Sequence, residues 1–190
     1  MPWDPPELGW LPPEAQELVR FACTRMLHSY KPVLMLAIID QLPAVEFPVG
    51  VIADAFVRFY ADRERQGLPV ERRGSPFMAG QRVDQRRCGQ TAVKVLWWVF
   101  WRQHNLLRLD RDMVVLQRVP AWRLLGEPQD VSLVRALLKS ALDDFYERMV
   151  LRGEAAYGQQ QPRSEADPVV LFLPDPDDRD DLHLLWPEDS

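Results

Sequence analysis

Apolar and polar positions change period several times along this chain, and each change predicts an element. The densest apolar stretch is residues 90–104, QTAVKVLWWVFWRQH, with Val93, Val95, Leu96, Trp97, Trp98, Val99, Phe100 and Trp101. These side chains point in nearly every direction around a helix, so the helix is expected to be buried over most of its circumference. Each of its three indole N–H groups also needs an acceptor. The pattern then shortens. Two β-prone runs, 106–109 and 113–119, flank Asp110-Arg111-Asp112 and predict a hairpin.

Upstream, the spacing predicts three helices. Residues 13–28 begin with Pro13 and Glu14 and carry Leu18, Val19, Ala22, Met26 and Leu27. Ser29-Tyr30-Lys31-Pro32 ends that helix and starts the next, the almost wholly apolar run 33–42, which stops before Pro43. Residues 44–48 are short and extended. Residues 49–66 form an amphipathic helix with Ile52, Phe56, Phe59 and Tyr60 on one stripe and Gly67 as its stop. Residues 68–89 are expected to be a loop with at most a helical turn at 81–87. A connection that long marks either function or an unrecognised element.

Downstream, one helical turn is expected at 120–125. A long amphipathic helix then begins near Val131 and ends near Arg152, with Val134, Leu137, Leu138, Leu142, Phe145, Met149 and Val150 repeating at three and four. Residues 153–164 are a link, 169–173 (VVLFL) a strand-like run, and 182–186 an apolar patch in an acidic end. At the other terminus, residues 1–13 hold five prolines and predict an extended arm with Trp3 and Trp10 as anchors. The order of helices, a buried helix and a hairpin is that of a winged helix. The expected fold is therefore mainly α with a small β-hairpin. It has an arm and helix at 1–29, a winged-helix-like core at 30–125, a C-terminal helix at 126–160 and an acidic tail at 161–190.

Charge changes this picture more than composition does. The net charge is −5, yet residues 56–124 hold fourteen Arg and Lys against six acids, whereas residues 125–190 hold six against fifteen. A basic middle implies an anionic partner, or simply a face solvated by arginine. No apolar run reaches the roughly 18 residues of a membrane span. The acidic, proline-rich start lacks the features of a secretory signal. With Cys23 and Cys88 alone no disulfide framework arises, and a cytoplasmic location is expected.

Catalytic signatures are sparse. The lysines are Lys31, Lys94 and Lys139; none follows glycine as a phosphate-binding loop requires, and none stands two residues after an acid. The histidines are not paired at metal-ligand spacing, so neither metal nor cofactor is expected. Cys88, beside Arg86 and Arg87 at a helix start, is a candidate thiolate nucleophile, or a plain cysteine near a helix end. Asp143, Asp144 and Glu147 share a helical turn and form either an acid/base group or a solvated face. His104 is expected to cap its helix.

The series Ser29-Tyr30-Lys31-Pro32-Val33-Leu34-Met35-Leu36-Ala37-Ile38-Ile39-Asp40, then Phe56-Val57-Arg58-Phe59-Tyr60 with Arg63, then Gly67-Leu68-Pro69-Val70-Glu71 resembles an accessory domain of prokaryotic restriction and phage-defence proteins. There the domain stands beside helicases or HNH-type nucleases. The resemblance covers residues 29–75. It implies nucleic-acid handling or complex assembly and brings no catalytic residues.

The expected function is a non-enzymatic, DNA-binding accessory subunit of a defence or DNA-processing complex. Its candidate contacts are Arg72, Arg73, Arg82, Arg86, Arg87, Gln90, Lys94, Arg108, Arg111 and Arg118. Arginine pairs with phosphate oxygens and with guanine edges through the same fork. Because the third helix is so apolar, only its N-terminal end and the preceding loop are expected to reach DNA. The alternative is a protein–protein adaptor without DNA contact, docking on a larger helicase, nuclease or ATPase subunit. A homodimer through the stripe between Val131 and Arg152 is a further possibility.

Overall fold

Residues 8–23, 26–75, 77–79, 82–102, 106–125 and 128–157 are described by the structure, a computed structural model. This span is mainly helical, with small antiparallel sheets. Helix α1 (Pro13–Cys23) buries Ala15, Leu18, Val19, Ala22 and Cys23, the three-and-four spacing of one face. In α2 (Tyr30–Ile39) seven of ten residues are buried, as its unbroken apolar sequence requires. Strand β1 (Glu46–Pro48) turns Phe47 inward and runs straight into α3 (Val49–Arg65), whose Ile52, Phe56 and Tyr60 face the core.

The segment expected to be a loop holds three short strands: β2 (Pro69–Arg72), β3 (Met78–Ala79) and β4 (Arg82–Val83). Strands of two to four residues are too brief for a period of two to register in the sequence. Helix α4 (Gln85–Arg102) follows, then β5 (Leu107–Asp110) and β6 (Met113–Leu116), joined by the two-residue turn Arg111-Asp112. Helix α5 (Val119–Leu125), α6 (Pro128–Leu151) and β7 (Ala155–Tyr157) complete the described chain.

The main sheet has the order β1-β6-β5, antiparallel throughout, with Phe47 opposite Val114 and Leu107 opposite Leu116. All four side chains are buried. Trp122 of α5 is fully buried beneath it, and its indole N–H donates to the Leu106 carbonyl at 3.0 Å, so the polar edge of the ring is satisfied.

The flanking segments share this core. Helix α6 packs on α1 and α2, and β7 pairs with β2. The stripe expected to be available to a second copy is therefore spent inside the chain. Val134, Leu138, Leu142, Phe145 and Met149 are all buried, so most of that stripe is not available to a second copy, while Val150 is 42% exposed. The arm is anchored differently too: Leu8 and Leu11 are buried while Trp10 is 43% exposed. Trp3, His104, the strand-like run 169–173 and the acidic tail lie outside the described residues.

Candidate nucleic-acid face

Helix α4 starts five residues before its apolar pattern does, because Asp84 caps it. Arg87 N–H donates to Asp84 Oδ1 at 3.0 Å, and Cys88 N–H donates to the Asp84 carbonyl at 2.8 Å, closing the first turn. Asp84 was visible in the sequence as a cap residue, but the apolar run further on drew the boundary. Arg86 and Arg87 thus belong to the first helical turn.

Exposure along α4 separates two faces. Cys88, Ala92, Val95, Leu96 and Val99 are buried, packed toward α3, α2 and β5. Arg86, Arg87, Gln90, Lys94 and Trp97 are exposed. At 3.6 residues per turn these five fall within an arc of about 100°. No acid lies between Gln85 and Arg102. The expectation that apolarity would leave only the helix start accessible is corrected: a basic stripe runs along the outer face as far as Trp97, which is 50% exposed.

The ten candidate residues do not converge on one surface. Arg82, on β4, is exposed and leads directly into the α4 stripe. The preceding strand is held in place by Val83 N–H, which donates to Glu64 Oε1 of α3 at 2.9 Å. Arg108 and Arg111 are exposed on the β5–β6 hairpin. Arg108 pairs with Asp110 at 3.5 Å, and Arg111 sits between two exposed acids with φ 52°. That hairpin tip is close to neutral. Arg118 is drawn to α1, where Glu17 accepts its hydrogen bond at 2.8 Å. Arg72 and Arg73 lie at the β2–β7 corner. Arg72 pairs with Glu154 at 3.3 Å, and Arg73 Nε donates to the Ala155 carbonyl at 3.4 Å. Within α4, Arg87 is shared with Asp84 at 3.5 Å. The basic character that reaches solvent in one place is that of β4 and α4.

The residues that carry the family resemblance do converge, but in the interior. Glu71 of β2 is fully buried at the start of α2. Its Oε2 accepts from Ser29 N–H at 3.1 Å and from the Ser29 hydroxyl at 2.6 Å, and its Oε1 accepts from Arg72 N–H at 3.0 Å. The Tyr60 hydroxyl lies 2.7 Å from Ser29 Oγ, and Tyr30 stacks on His28 with ring centroids 4.7 Å apart. The Tyr146 hydroxyl of α6 donates to the Val70 carbonyl at 3.1 Å, and the Arg63 guanidinium lies 3.5 Å from the centre of its ring. Ser29, Tyr60 and Glu71 have no solvent exposure, so this knot positions α2, α3, β2 and α6 and offers nothing to a ligand.

The other chemical candidates fare as follows. Cys88 is fully buried. Burial first, and then the negative charge of Asp84, push its thiol up to about 12, the reverse of the expected activation. Iodoacetamide at neutral pH is therefore expected to leave Cys88 unmodified in the folded chain and to alkylate it after urea unfolding. Peptide mass mapping distinguishes the two states, and labelling of the native chain would contradict the burial. Asp144 is engaged by Arg148 at 2.7 Å, which removes it from any acid/base group with Asp143 and Glu147. Among the described residues no helix is long and apolar enough to cross a membrane. No protein-family model, curated protein or solved structure matches the chain, so its chemistry is read from its own residues.

Proposed function

We propose that this chain is a non-enzymatic, nucleic-acid-binding accessory subunit built on a winged-helix-like core. The element order α2-β1-α3-α4-β5-β6 and the sheet order β1-β6-β5 support that architecture, with β2, β3 and β4 inserted between its second and third helices. In such a domain the third helix enters a groove and the hairpin flanks it. The observation that carries the reading is the solvent face of α4: Arg86, Arg87, Gln90 and Lys94 in one arc of an acid-free helix. Cations repeated along a rigid element suit a phosphate chain, and the amide of Gln90 suits a base edge.

Arg86→Glu with Arg87→Glu tests it. Fluorescence anisotropy across a salt series should show binding weakened roughly a hundredfold whatever the sequence, with the salt slope reduced by about 2. Unchanged affinity would remove the nucleic-acid assignment.

The adaptor reading draws on a different observation. Arg72, Arg108 and Arg118 are already paired with carboxylates, and Leu133 and Leu151 of α6 are 52% and 79% exposed. A place in a cytoplasmic prokaryotic defence or DNA-processing assembly follows from the resemblance. Co-purification from the native host should then recover a helicase, nuclease or ATPase subunit.

A further inference from the structure

We infer that the nucleic acid held by α4 is single-stranded, with an unpaired base stacked on the Trp97 indole. The inference rests on the nucleic-acid reading above and narrows it to a substrate class. Trp122 is fully buried, whereas Trp97 stands 50% exposed on the outer face of its helix, in the middle of a long rigid element and not in a terminal arm as the 43% exposed Trp10 is. It also lies within the basic arc, at the C-terminal end of the stripe. On the helical wheel it projects within about 20° of Arg86 and Gln90 and about 60° of Lys94. An apolar ring that follows a row of cations on one helix face has complementarity to a partner that offers both phosphate and a π face.

Duplex DNA offers that combination poorly. A helix about 10–12 Å across fills a major groove about 12 Å wide. It docks with its N-terminal residues against the base edges, here the end that carries Arg86, Arg87 and Gln90. Trp97 lies eleven residues further on, about 16 Å along the axis. There the ring would meet backbone and water, or polar base edges whose one apolar feature is the thymine methyl. In a single strand every base exposes a face to stack, and an aromatic side chain beside phosphate-binding cations answers both halves of the nucleotide. The indole supplies area with little side-chain entropy to lose, and Lys94 and Arg86, both on its N-terminal side, hold the backbone that leads to it.

The test uses the full chain, a fluorescein-labelled oligothymidylate and a mixed-sequence duplex of equal length, read by anisotropy at fixed salt. The single strand should bind more tightly. Trp97→Ala should weaken it roughly five- to a hundredfold and change duplex binding less than about twofold, while Trp97→Phe keeps most of the affinity. Should Trp97→Ala fail to fold, Trp97→Phe is compared with Trp97→Gln, which keeps bulk and removes the π face. A tighter duplex, or equal effects on both forms, overturns the inference while leaving the Arg86 and Arg87 dependence, and so the broader reading, intact. Binding to neither form removes both.

Discussion

Replacing Glu71 by alanine is expected to cost about 3–5 kcal/mol of folding stability, a large share of the about 5–15 kcal/mol that holds a domain together. The carboxylate accepts three hydrogen bonds, from Ser29 N–H, the Ser29 hydroxyl and Arg72 N–H. Alanine leaves the buried Ser29 amide and the half-buried Arg72 amide without this acceptor and opens a void between the start of α2 and β2. Unsatisfied buried donors cost about 1–3 kcal/mol each, and the void adds to that. Tyr60→Phe is the graded control. It deletes a single hydroxyl 2.7 Å from Ser29 Oγ and should cost about 1 kcal/mol. Urea midpoints at constant slope give both values. A Glu71→Ala chain within about 1 kcal/mol of the parent would mean that the knot does not hold these segments together.

Glu71 also shows where the sequence ran out. Its neighbours in the knot belong to the same family-like pattern, but a glutamate after Gly-Leu-Pro-Val looks like any surface acid until the fold shows Ser29 beside it. Helices were legible wherever an apolar face repeats over three or more turns, as in α3 and α6. The hairpin was legible because Asp110-Arg111-Asp112 separates two β-prone runs, and pairing of Asp110 with Met113 narrows the turn to Arg111-Asp112. Strands β2, β3 and β4 were not, since each is too short to establish a period and their pairings depend on tertiary contacts such as β2 with β7. The basic stripe was visible as composition but not as a surface. Distant carboxylates decide it: Glu17 takes Arg118 and Glu154 takes Arg72, and nothing local in the chain announces either. The exposure of Trp97 is hidden in the sequence for a related reason. Periodicity says that a helix has an apolar surplus, and only packing decides which of three neighbouring tryptophans stays outside.

Alkaline unfolding is expected to be steep and to begin earlier than tyrosine chemistry alone would set. The phenols of Tyr30, Tyr60 and Tyr146 are held above the usual value of 10, chiefly by burial and then by neighbours such as Glu71 and, for Tyr60, Tyr146. Burial also pushes the thiols of Cys23 and Cys88 from 9.0 up to about 12. In every case the folded state favours the protonated form, so between the unfolded and folded values the native chain holds more protons than the unfolded one. Stability is then fully present below pH 9 and is lost as pH rises, first through the thiols and from pH 10 through the phenols as well. Each group lowers stability inside its own window, so the loss steepens once thiols and phenols act together above pH 10. Three of the four tyrosines in the chain are in this buried set. Tyrosinate absorbance should therefore rise in one cooperative step that coincides with the loss of helical circular dichroism. If most of the absorbance instead rises smoothly near pH 10 while the helices persist, the phenols are open to water and the core is not packed as described.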